Sequence, residues 1–170
     1  MSGPEGSSIK NVRLCVMVFI RSICMNDIEY MKVAYLEALK ALKIDDVPIG
    51  AIIVKDHQII STAYNQKESL NDVSAHAEML AIRLACQKLG TWHLDGCTLY
   101  TTLEPCMMCS SAIIQSRIDK VVFGANASRW PGLSECLSNH QFNHVPQVMG
   151  GILEQECSSL LSQYFKAKRS

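Results

Sequence analysis

Long apolar runs are missing from this 170-residue sequence. The best candidate, Leu14 to Ile20, is closed at once by Arg21, whereas a membrane-spanning helix needs about 20 residues. Lys10 and Arg13 precede it as they would precede a secretory core, but no small-x-small cleavage site follows. A membrane partner is therefore not expected. An excess of charge of either sign is also missing. Lys+Arg and Asp+Glu both number 16, and the pI is near 6.9. That excludes a uniformly basic nucleic-acid binder and leaves room for a local basic patch. Cysteine is present eight times, below the roughly 8–10% of a disulfide scaffold. Reduced, core-packed thiols in a cytoplasmic protein are expected instead.

Apolar residues at 48% and charged residues at 19% describe a globular chain, long enough for one domain and one core. The opening Ser-Gly-Pro-Glu-Gly-Ser-Ser has a linker's composition. Residues 1–25 are read as an N-terminal extension or leader, with Met25 a candidate natural start, and residues 26–170 as the folded domain.

Apolar spacing at Ile28, Met31, Tyr35, Ala38, Leu39 and Leu42 predicts a helix over 27–43, capped by Asn26 or Asp27. Ile49–Val54 and Gln58–Tyr64 read as a hairpin turning at Asp56-His57. Residues 65–74 read as polar loop, and 76–89 as a helix stopped by Gly90. Strands are expected at 97–102 and 120–123, with a helix from Pro105 to about Arg117 between them. Residues 125–144 read as irregular, 145–149 as a short fifth strand, and 152–168 as a closing helix with Leu153, Cys157, Leu160, Leu161 and Phe165 inside. This alternation predicts a three-layer α/β/α fold with a mixed sheet of about five strands.

Two short motifs carry the chemistry. His76-Ala77-Glu78 opens one helix, and Glu104-Pro105-Cys106-Met107-Met108-Cys109 opens another. A strand before each would aim both helix starts at one place. Cys106 and Cys109 are three apart and share a helical face. A helix start favours thiolates, and His76 adds a third ligand. Sulfur and nitrogen donors select zinc. Three protein ligands leave the fourth position to water, the catalytic arrangement. A structural site would need a fourth ligand, for which His93, His140 and Cys97 are candidates without a tight second pair. Two thiolates balance Zn²⁺, so Glu78 is left to move protons beside a water whose pKa zinc lowers to about 7. Alone, Cys-x-x-Cys would equally fit half a zinc ribbon or a redox pair, and a lone histidine would fit a helix cap. The two motifs together are far more specific.

These residues resemble the zinc-dependent cytidine/deoxycytidylate deaminase superfamily. Asp46-Val47-Pro48-Ile49-Gly50-Ala51, Tyr64-Asn65, Ser74 to Met79, Leu99 to Cys106, Ser116-Arg117-Ile118, Val121 to Ala125, Gly151-Ile152-Leu153 and Tyr164 to Arg169 are, within it, similar to the bacterial tRNA-specific adenosine deaminases. The resemblance spans about residues 26–169. It implies a cytidine deaminase-like fold, one zinc ion per subunit on His76, Cys106 and Cys109, and a homodimer acting on a tRNA anticodon loop. It further implies hydroxide attack on C6 of the wobble adenosine, with Glu78 as proton shuttle and inosine as product. Asn65 and the Ala77 backbone N–H would hold the base.

The stretch after Gly124-Ala125 departs from the family. Ala127 stands where an acid is usual, Arg129 replaces a Lys, and the loop is shorter. Arg129, Lys166, Lys168 and Arg169 are the candidate RNA contacts, although the last three would also suit a helix C-terminus. Trp130 fits stacking on a base or packing on the protein itself. His57 reads as exposed, and Met107 and Met108 as filler. Two other readings share the motifs. One is a deaminase of a free base or nucleotide (guanine, cytosine or deoxycytidylate), which needs a closed pocket and no RNA-gripping surface. The other is a zinc-stabilised module without activity, for which Glu78 has no use.

Overall fold

A computed structural model describes residues 25–169 apart from 128 and 140. The expected extension (bar Met25), with Cys15, Cys24 and His140, lies outside the described residues.

The elements run α1 (Asp27–Lys43), β1 (Gly50–Lys55), β2 (Gln58–Tyr64), α2 (Lys67–Leu70), α3 (Ala77–Leu89), β3 (Cys97–Leu103), α4 (Met107–Gln115), β4 (Lys120–Ala125), α5 (Leu133–Asn139), β5 (Gln147–Met149) and α6 (Glu154–Ala167). The sheet order is β2-β1-β3-β4-β5. β1 pairs antiparallel with β2 and β3, while β4 pairs parallel with both β3 and β5. The parallel pairs need crossovers, which α4 and α5 supply. The expected mixed five-stranded sheet is present.

Both sheet faces are covered, so the central strands are apolar at consecutive positions. Ala51, Ile53, Leu99 and Val121 face α3 and α4 in one core. Ile52, Val54, Tyr100 and Val122 face Tyr30, Met31 and Ala34 of α1 in the other. The α6 helix joins α1 on that face, where the Cys157 side chain fills the space that a Cβ at Gly124 would need. Asn26 closes a full capping box with Glu29 at the start of α1. The buried face of α1 is Tyr30, Met31, Ala34, Ala38 and Ala41, while Ile28 and Leu42 are exposed. Small residues win there because α1 crosses β1 closely at Gly50. A Cβ at Gly50 would collide with the Ala34 carbonyl oxygen.

Three expectations change. The loop 65–74 contains α2, a single turn that ends with Asn71 in the left-handed region (φ 49°). The stretch 125–144 contains α5, anchored by buried Leu133 and Cys136. Of the five α6 residues expected inside, Cys157 and Leu160 are buried, and the other three are half-buried. No described helix is long and apolar enough to cross a membrane.

Candidate metal and nucleotide site

His76 is the N-cap of α3 and Cys106 the N-cap of α4, and neither side chain caps its own helix. Both are therefore available to a ligand. The α4 start follows directly from β3. The α3 start does not follow a strand directly, because α2 intervenes. It is held instead by the Gln66 N–H, which donates to the Ala75 carbonyl at 3.0 Å. The two helix starts converge. His76 Nδ1 lies 3.7 Å from Cys106 Sγ and 3.5 Å from Cys109 Sγ, and the two sulfurs are 3.7 Å apart. These three ligand atoms form a metal-capable group.

The triangle fits a tetrahedral zinc site. With Zn–S near 2.3 Å and Zn–N near 2.0 Å, two sulfurs stand about 3.8 Å apart, and sulfur and nitrogen about 3.5 Å apart. The protonation states fit too. The two sulfurs share one hydrogen bond, and with His76 this pulls the Cys106 thiol down to about 4. Cys109 is correspondingly pushed up, by that shared bond and by burial. His76 is raised by its bond to Cys106. A divalent cation would replace the shared proton and serve both sulfurs at once. His93 is exposed and pairs with Asp95 at 3.5 Å, and Cys97 begins β3 at the strand's far end. Neither joins the triangle, so among the described residues no fourth ligand stands beside it, and the fourth position is open to water or substrate.

Glu78 is 3% exposed, and burial raises its carboxyl to about 7. Its Oε2 has no partner, and neither has Oδ1 of Asn65, which is also 3% exposed. Two of the three unpartnered buried side-chain oxygens among the described residues thus belong to expected site residues. Buried polar atoms are nearly always paired, so these are open to a ligand. Asn65 owes its pose to Asp46, which is fully buried. Asp46 Oδ1 accepts from Asn65 Nδ2 and from the Val47 N–H, and its Oδ2 accepts from the Glu68 N–H, each at 2.8 Å. A carboxylate only accepts, so the Asn65 amide must turn its NH₂ to Asp46 and its oxygen away. Ala77 is the first helical residue of α3, where the N–H has no acceptor in its own helix.

A cleft of about 370 Å³ lies between the ends of β3 and β4 and the C-terminal half of α6. Arg129, Trp130, Phe165 and Arg169 line it. The Arg129 guanidinium sits 4.9 Å from the Phe165 ring centre, and Trp130 is 73% exposed. Gly132 makes an isolated antiparallel bridge with Cys106, so this wall adjoins the metal triangle. Lys168 does not reach the cleft. Its Nζ is 2.5 Å from Asp45 Oδ2, beside the Tyr164 hydroxyl, which donates to the Asp45 carbonyl. Lys166 is exposed and is not among the lining residues. Sequence patterns missed Asp46, Glu104 and Phe165 as contributors. A single carboxylate near a proline, as at Glu104 before Pro105 and Asp46 two residues before Pro48, carries no periodic signal.

The family model of the cytidine and deoxycytidylate deaminase zinc-binding region matches residues 25–125. A tRNA-specific adenosine deaminase of Bacillus subtilis (strain 168) is 49% identical over 144 residues, covering 82% of this chain and 89% of that protein. A solved structure from a study of A-to-I editing by tRNA:A34 deaminases at the wobble position aligns with a TM-score of 0.74 and 40% identity. It covers 78% of this chain and 98% of the other. A guanine deaminase structure from Bacillus subtilis aligns with a TM-score of 0.58 and 42% identity, over 60% of this chain and 66% of that one.

Proposed function

The chain belongs to the cytidine and deoxycytidylate deaminase zinc-binding family, and from that premise we propose that it converts adenosine to inosine at the wobble position of a tRNA anticodon. Water enters, and ammonia leaves from C6. The observation that carries the choice of substrate is the open cleft of Arg129, Trp130, Phe165 and Arg169 beside the metal triangle. A free base needs no such surface. Flanking nucleotides do, since aromatic faces stack bases and guanidinium groups meet phosphates. Relatives named for tRNA-specific adenosine deamination support the same reading.

In this reading His76, Cys106 and Cys109 hold one zinc ion per subunit. A bound ion would supply Lewis-acid chemistry that makes water a nucleophile at neutral pH. Glu78 would take a proton at its carboxylate, deliver it to N1 of the adenine, and serve the departing amine in turn. A carboxyl raised to about 7 is matched to both giving and taking at neutral pH. The Asn65 oxygen, held by Asp46, and the Ala77 N–H orient the base. Arg129 and Arg169 grip the loop backbone. Exposed Leu70, Val73 and Met107 flank the two motifs and support a homodimer that covers them, which sedimentation of the purified protein would check. Among the described residues no cysteine is in a disulfide, which fits the reducing cytoplasm.

The test is a deamination assay on zinc-loaded protein. An anticodon stem-loop with adenosine at the wobble position is offered beside free guanine and free cytosine. Inosine in the RNA, read by mass, is the expected product. Ammonia from a free base with intact RNA would instead favour the guanine deaminase-like alternative.

A further inference from the structure

We propose that Glu104 is a positioning residue. It clasps both ends of the segment carrying Arg129 and Trp130 and so sets the RNA-gripping rim against the metal site. This rests on the wobble-adenosine reading for its substrate, though not for its geometry. Glu104 lies between the end of β3 and Cys106 and is 7% exposed. Its N–H donates to the Ala125 carbonyl at 2.8 Å, which ties it to the end of β4. Its two carboxylate oxygens face different stretches of chain. Oε2 accepts from the Ala127 N–H at 3.1 Å, and Oε1 accepts from the Ser134 N–H at 3.0 Å. Ala127 opens the segment. Ser134 lies in the first turn of α5, where an N–H has no acceptor within the helix.

Gly132 completes the fit. A Cβ there would overlap the Glu104 carboxylate, and Gly132 is also the bridge partner of Cys106. One side chain therefore fixes where the segment leaves the sheet, where it enters α5, and how closely it passes the metal ligand. What projects between those points is Arg129 on the Phe165 ring and exposed Trp130. Only a carboxylate can accept from both N–H groups. An amide would turn an NH₂ against one of them.

The experiment compares Glu104→Gln with wild type in a Trp92→Phe background, which leaves Trp130 as the only tryptophan. Zinc content and kcat on the anticodon stem-loop should stay within about twofold. KM should rise about tenfold, as expected for losing a charge-assisted bond, and Trp130 fluorescence anisotropy should fall. A purely structural cap would lower melting temperature without dividing KM from kcat. Gly132→Ala, which displaces the same carboxylate, should raise KM likewise. In a Glu104→Ala background, where the methyl has room, it should add little. Unchanged KM and unchanged anisotropy in both Glu104→Gln and Gly132→Ala overturn the clasp, and so does loss of zinc in step with KM. The anisotropy needs no substrate. If it falls while the wild-type protein leaves RNA intact, the clasp stands and the wobble reading fails. If RNA is deaminated while KM and anisotropy both hold in the two variants, the wobble reading stands and the clasp fails.

Discussion

The metal triangle and the cationic rim share a border at Cys106 and Gly132, yet they are built on opposite terms. At the triangle, His76 and Cys106 are helix N-caps and Cys109 lies in the first turn of α4, on two helices that share one packed core, and Cys109 and Glu78 are buried. At the rim, Arg129, Trp130 and Arg169 are exposed, and the Arg129 segment is held by one carboxylate. Groups that must keep sub-ångström geometry and a low dielectric sit on rigid elements. Groups that meet a flexible polymer sit where they can adjust. The difference predicts that damage to the centre removes chemistry outright, while damage to the rim weakens substrate binding by degrees.

The sharpest break would come at Cys106. Changing Cys106→Ser should abolish zinc binding, measured by elemental analysis, and lower thermal stability because metal binding and folding are coupled. Without the ion, water at the site is no longer a neutral-pH nucleophile, and turnover should fall more than about 10⁴-fold. Full zinc content in this variant would remove Cys106 from the ligand set. Next in size is Glu78→Gln. Zinc should remain, KM should barely move, and kcat should drop about 10²- to 10⁴-fold. Surviving turnover would mean that another group moves the proton.

The centre was legible in the sequence because its chemistry needs particular residue types at fixed spacing on two helix starts. His76, Cys106 and Cys109 meet as expected. Buried Glu78 keeps an unpartnered oxygen. The strands were legible for a related reason. Runs such as Ile52–Val54 and Val121–Phe123 are apolar on both faces because helices cover both. The rim was less legible. The α5 helix was hidden by a polar, Gly- and Pro-containing approach, although Leu133, Cys136 and Leu137 already show helical spacing. The helix α1 was legible from its apolar spacing, but which of those residues it buries was not, since the close crossing at Gly50 selects alanines over larger residues and leaves Ile28 and Leu42 exposed. Asp46 acts through the Asn65 amide and the Glu68 N–H, and Glu104 through the Ala127 and Ser134 N–H groups, all distant in sequence, and no periodicity records that.

Rim substitutions sharpen the contrast. Arg169→Ala and Arg129→Ala should each leave zinc and kcat intact and raise KM for the stem-loop about tenfold. Each should also reduce the slope of log KM against log salt by about 0.7, the signature of one lost phosphate contact on single-stranded nucleic acid. An unchanged slope would assign that arginine to packing against Phe165.

The smallest effect tests whether being cationic near the cleft is enough. Lys168 is one residue from Arg169 and belongs to the same basic cluster in sequence, but its ammonium is engaged with Asp45, which does not line the cleft. That pairing holds the ammonium ionised, so its pKa is raised. The pair is exposed on both sides, and exposed ion pairs contribute little to stability. Lys168→Ala should therefore change KM by less than about twofold and leave the salt slope unaltered, with melting temperature close to wild type. If its KM and slope instead shift as far as those of Arg169→Ala, Lys168 leaves Asp45 for phosphate when RNA binds. The boundary of the rim would then have to be drawn around the helix end as a whole.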